Sequence, residues 1–364
     1  MRPALFLLIL AIACGGEHPA PPAAPAQAAP APQAAIREEA AEPPPPPTAD
    51  EPGAAEARAD VEALAACSET DHALSRCEAS KRFCCGLTGT MQAGTEAVLV
   101  DRLRRSKKDR VRMYILMRLA SQPGPRNSDP ERARALLAAV RAVVDTDRVE
   151  ASWVGRVVGA IALEGGVREE IAQMIADHPV PLIAGGIVEG LGIGHPHDRD
   201  VLDLVDRQAA DPRAEVRAGV VEAYGEARDP DLERACGAWS RATADSQRST
   251  ASRAAALISV TPRCKRYQAK VLADAEKRLR ADPHDGSIGV LEGLCSNRAL
   301  RRRVTALAIS LVPRLTQGEH YDAMRAIAAC DPRGPDAAMQ RWIRKGGAVG
   351  HAAERAAKDV DRQP

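Results

Sequence analysis

Beyond residue 90 the apolar residues recur at helical spacing. In the stretch Asp211-Pro212-Arg213-Ala214-Glu215-Val216-Arg217-Ala218-Gly219-Val220-Val221-Glu222-Ala223-Tyr224-Gly225, positions Val216, Val220, Ala223 and the following Ala227 share one helical face. Similar helix ends return at Leu191-Gly192, Tyr224-Gly225, Ile258-Ser259, Leu294-Cys295 and Ile327-Ala328, with gaps of 33, 34, 36 and 33 residues. Each period holds two helical stretches: Val201, Leu204 and Val205 mark one, and its partner starts near Val216. Weaker units precede, from Val98 to Leu119, Ala133 to Leu163 and Val167 to Leu191. No run of alternating β-branched and aromatic residues bounded by turns interrupts the pattern, so it predicts an all-α fold. One helix pair cannot bury its apolar face alone, whereas stacked pairs bury a continuous core.

Asp-Pro pairs punctuate the pattern at 129, 211, 229, 282 and 331. Aspartate is a strong N-cap and proline suits the first helical position, so each pair predicts a helix start, less clearly at Asp331. Aromatic residues make up only 2% of a chain that is 45% hydrophobic, so alanine, valine and leucine form the core and helices can pack closely.

The unit Asp211…Val216-Arg217…Ala223…Gly225 resembles the HEAT-repeat family, in the form related to phycobilisome-lyase repeats. The likeness covers residues 165–330 and is closest over 195–230. It implies a right-handed α-solenoid of helix pairs, expected over 94–360, which grips a protein partner on its concave face. HEAT-type metalloenzymes carry repeated His-Glu pairs; none occurs in this chain.

The amino terminus reads differently. Arg2 precedes an apolar run from Ala4 to Ala13, too short for a spanning helix, which needs roughly 20 residues. A charged start, a short apolar core and small residues at its end describe a secretory signal. Ala11-Ile12-Ala13-Cys14, followed by Gly15-Gly16, resembles the lipobox of bacterial lipoproteins, with Ala11 in place of the usual leucine. The resemblance implies a signal peptide over 1–13 and a diacylglyceryl group on Cys14. Glycine after the cysteine, rather than aspartate, favours the outer membrane of the cell envelope. Two or three acyl chains make such an anchor stable where one does not. Residues 14–56 are then a disordered Pro/Ala-rich tether, including five consecutive prolines at 43–47, whose stretch from Glu17 to about Ala55 can reach roughly 120 Å at about 3.1 Å per residue.

Eight cysteines remain besides Cys14, an even number suited to an oxidising compartment. Cys67, Cys77, Cys84 and Cys85 sit in a small helical segment over 57–93, with Cys67 and Cys77 expected to bond to the Cys84-Cys85 pair. A four-thiolate zinc site and a Cys84-Cys85 redox pair are the alternatives. Cys236, Cys264, Cys295 and Cys330 pair most simply as 236–264 and 295–330, with 264–295 as a rival.

Candidate chemistry is sparse. Gly194-His195-Pro196-His197-Asp198 places His195, His197 and Asp198 close together as the best metal candidates, yet at a repeat junction where turn and cap residues belong. The chain holds no Gly-x-Ser-x-Gly, Ser-x-x-Lys, His-Glu-x-x-His or phosphate-loop motif. Glycines 185, 186, 190, 192 and 194 lack a preceding strand and fit a helix–helix contact. No catalytic residue, cofactor or small-molecule substrate is therefore expected. Net charge is +1, which with export argues against nucleic acid. Local basic clusters lie at Arg102, Arg104, Arg105, Lys107, Lys108, Arg110 and Arg112, and at Arg298 with Arg301-Arg302-Arg303. They read as solvated helix faces, or alternatively as contacts to anionic envelope polymer. The function expected is a non-catalytic, membrane-anchored interaction scaffold; the alternative is a binder of envelope polymer or metal.

Overall fold

A computed structural model describes residues 51–70, 77–84, 89–106, 109–141, 148–164, 166–227 and 229–361. The chain divides into two units, 1–43 and 44–364, and every described residue belongs to the second. Cys14, the signal and the tether up to residue 50 lie outside the described residues, as do Cys85, Lys107 and Lys108.

Among the described residues the fold is all-α, without strands. The helices are α1 (Ala54–Thr70), α2 (Glu78–Cys84), α3 (Ala93–Arg105), α4 (Asp109–Ser121), α5 (Pro130–Arg141), α6 (Arg148–Gly159), α7 (Val167–Asp177), α8 (Pro181–Gly194) and α9 (Arg199–Arg207). They continue as α10 (Ala214–Gly225), α11 (Leu232–Ala242), α12 (Arg248–Val260), α13 (Lys265–Ala281), α14 (Leu291–Leu294), α15 (Arg301–Leu311), α16 (Gln317–Cys330), α17 (Pro335–Lys345) and α18 (Gly347–Asp361). The repeated helix ends read from the sequence fall at or near the ends of α8, α10, α12, α14 and α16.

Packing skips one helix at a time. Each even-numbered helix from α2 to α16 packs on the next even-numbered one. On the other side α1 packs on α3, α3 on α5, α5 on α7, α11 on α13 and α13 on α15. The two sets differ in sequence as their surroundings require. α8 is apolar nearly all round and buries ten residues from Ile183 to Gly192, because neighbours cover it on several sides. α9 buries only Val201, Leu202, Leu204 and Val205 and turns its charged residues outward. One apolar cluster runs from Val61 to Ala357 through both sets.

Small residues bring the even helices together. A methyl group added at Gly155, Gly186, Gly190 or Gly219 would come closer than 3.0 Å to backbone atoms of the facing helix. The glycines of α8 thus serve helix contact between α6, α8 and α10.

Two local expectations are corrected. Only Asp129 caps a helix as the Asp-Pro reading predicts, its Oδ1 accepting from the amides of Glu131 and Arg132. At Asp211, Asp282 and Asp331 the carboxylate accepts instead from the amide two residues on, turning the chain before a later start. Beside Asp229 the cap is Asp231, which accepts from Glu233 and Arg234. In the amino-terminal segment Cys67 bonds to Cys77 rather than to the 84–85 pair, because the end of α1 and the start of α2 bring their Cα atoms to 6.2 Å. That segment shares the main core through Val61, Leu64 and Phe83. Asp60 of α1 ties it down, accepting from Arg82 of α2 and Arg118 of α4. Disulfides also join Cys236 to Cys264 and Cys295 to Cys330, linking α11 to the start of α13 and α14 to α16.

Candidate interaction surface

The even-numbered helices carry charges at positions one repeat apart, and these meet across helix boundaries. Arg156 of α6 pairs with Glu189 of α8 and, at 3.3 Å, with Glu226 just past α10. Arg253 of α12 holds Glu222 of α10 through Nε at 2.9 Å and Nη2 at 2.9 Å. Arg325 of α16 donates to Glu292 beside it at 2.6 Å, and Tyr321 donates to Asp359 of α18 at 2.6 Å. Aromatic rings extend the arginine contacts: Arg156 lies over Trp153 at 4.8 Å, and Arg355 over Tyr321 at 4.7 Å.

Glu189 is the most confined of these groups, its side chain only 8% exposed. Burial pushes its carboxyl up to about 7; Arg156 pulls the other way, and Glu226 and Glu222 add repulsion. The other pairs are half-buried. They join even-numbered helices to one another, with half-buried small residues such as Ala218 and Ala256 close to them along the same helices. Such pairs can offer oriented donors and acceptors to a partner of matching charge.

The connections between helices are stitched in the same way from the start of α10. Arg213, in the motif that carries the HEAT resemblance, forks onto Asp211 and donates backward to the carbonyl of Ile175 at 2.7 Å. Arg217 donates to the carbonyl of Asp211 and forward to Asp245. One motif therefore touches the repeats before and after it.

The metal candidates are not brought together. His195 Nε2 lies 2.9 Å from the carbonyl of Ile161, and burial holds its pKa below the ordinary histidine value. Asp198 caps α9 and pairs with Arg168. His197 is exposed, 3.9 Å from Asp229. Among the described residues no group of three or more His, Cys, Asp or Glu is placed to hold a metal ion. No described helix is long and apolar enough to cross a membrane.

Sequence reading missed the even-row pairs. A signal was present: Glu189 is the single charged residue of an otherwise apolar α8.

No family model matches the chain, and neither does any curated protein. Among solved structures the chain is similar to a crystal structure of an engineered protein, 16% identical over 83% of this chain and 88% of that one, with a TM-score of 0.41.

Proposed function

We propose that the chain is a lipid-anchored, non-catalytic scaffold of the bacterial cell envelope, whose repeats form a HEAT-like α-solenoid that binds a protein partner on the even-helix face. The observation that carries this reading is the unbroken succession of even-numbered helices, with charge pairs that tie α6 to α8, α10 to α12 and α14 to α16. Such an array offers extended surface rather than a closed pocket, the arrangement repeat proteins use for binding. The Cys14 motif supports the anchor, and the Pro/Ala tether after it supplies reach. Three disulfides suit an oxidising compartment.

The test is site-specific photo-crosslinking in intact cells. A photoreactive residue at Ala218 or Ala256, on the even row, is expected to capture a discrete protein. The same residue at Arg199 or Arg207, on the odd row, is expected not to. Adducts from both rows alike, or capture of polysaccharide or lipid in place of protein, would overturn the proposal.

A further inference from the structure

The outer face of α13 carries more positive charge than the carboxylates around it pair. Buried Gln268, Val271, Leu272, Ala275 and Leu279 define its inner side. Opposite them stand Arg266, Lys270, Lys277 and Arg280, all exposed, spread over about 21 Å of helix at 1.5 Å per residue. The face continues onto α15, where Arg302 and Arg303 are exposed. Continuity is shown by Glu276, which accepts from Arg280 at 2.6 Å and from Arg303 Nε at 3.0 Å. On the other flank Arg266 pairs with Glu233 of α11 at 3.0 Å. The Cys236–Cys264 bond fixes α11 against the start of α13.

These pairs show what the face recognises. Its arginines already hold carboxylates of their own and neighbouring helices, and Arg303 brings both Nε and Nη2 to Glu276. Lys270, Lys277 and Arg302 are equally exposed; Lys270 donates to the carbonyl of Ser240 at 3.4 Å, but among the described residues no carboxylate stands within ion-pair distance of the three. The chain's net charge is only +1, so this excess is local. No large apolar side chain accompanies it: Val260, the single well-exposed one among the described residues, is on the even-numbered α12. A membrane-inserting contact is therefore disfavoured, and an electrostatic one fits.

We propose that the α13–α15 face is a second docking surface, which binds an acidic peptide segment of a protein partner through carboxylates that pair with Lys270, Lys277 and Arg302. It rests on the scaffold reading only in taking the partner to be a protein, and it uses the side of the fold opposite the even row.

The experiment titrates a fluorescent oligo-glutamate peptide with the full chain and reads anisotropy. Binding that weakens as salt rises is expected. The triple variant Lys270→Glu, Lys277→Glu, Arg302→Glu is expected to lose at least tenfold in affinity. A control with the same charge change at scattered exposed sites, Arg199→Glu, Arg207→Glu, Arg344→Glu, is expected to lose less than threefold. If the triple variant fails to fold by circular dichroism, Lys277→Glu alone is measured, with a loss of about threefold expected. Equal losses in the α13 variant and the control would overturn the proposal. So would tighter binding of the native chain to polyphosphate or to phosphatidylglycerol vesicles than to oligo-glutamate. Neither result touches the crosslinking from the even row, so the two readings fail separately.

Discussion

Replacing Glu189 with glutamine removes one buried charge while keeping the side chain's shape, and its effect must depend on pH. The folded-state carboxyl titrates near 7, raised from an ordinary 4.5 by burial in α8 against α6 and α10. Below pH 4.5 the group is neutral in both folded and unfolded chains and costs nothing. As pH rises toward 7 the unfolded chain has already given up this proton while the folded one keeps it. Stability therefore falls across that window, and above 7 the full penalty is present. A shift of this size corresponds to about 3 kcal/mol at 1.36 kcal/mol per pKa unit. The assay is urea unfolding followed by circular dichroism at pH 5, 6, 7 and 8, for the native chain and Glu189→Gln. The variant is expected to gain on the native chain by about 2–3 kcal/mol between pH 5 and 8, since part of the penalty is already present at pH 5. Histidines that titrate in the same window are common to both proteins and cancel in the difference. Parallel curves, offset by a constant, would refute the account of Glu189 as a buried carboxyl held above its ordinary range.

Other outcomes follow from the same packing. Gly219→Ala is expected to destabilise by about 1–3 kcal/mol because its methyl meets the backbone of Gly185, although alanine is the better helix former. Gly318→Ala, in open space, is expected to be neutral or to stabilise by up to ~1 kcal/mol; thermal melts should show a lowered midpoint for Gly219→Ala and an unchanged or raised one for Gly318→Ala. Arg213→Ala should cost about 2 kcal/mol, since it strands the carbonyl of Ile175 and frees Asp211, and chemical denaturation checks it. The double variant Cys236→Ala, Cys264→Ala should lower stability by about 3–4 kcal/mol for a bond spanning 28 positions. An unchanged urea midpoint would contradict that bond.

Part of this was legible from periodicity alone. Residues such as Val216, Val220 and Ala223 announce a helix face because burial imposes a 3.6-residue rhythm on the chain itself. Helix ends near 192, 225, 259, 295 and 328 show through for the same reason. What periodicity cannot encode is which residue a polar group meets. Asp211, Asp282 and Asp331 look like caps by type, yet the choice between capping and turning depends on where the next helix begins. Cys67 illustrates the same limit: four nearby cysteines allow several pairings, and only the approach of α1 to α2 selects Cys77. The Arg253–Glu222 and Arg325–Glu292 pairs join residues about one repeat apart, so they emerge only when successive even helices are laid side by side. The α13 face was hidden differently: its cations are interleaved with buried apolar residues and form a patch only once the helix is wound. Of it, the sequence had shown Arg302 and Arg303 alone, as part of the cluster 298–303.

The account places the scaffold on a lipid anchor at Cys14, and the mature amino terminus tests that anchoring most directly. Mass spectrometry of the protein isolated from the cells that make it is expected to find residues 1–13 removed and Cys14 first, carrying a diacylglyceryl group and a further acyl chain. An intact amino terminus, cleavage at another residue, or an unmodified Cys14 would contradict it.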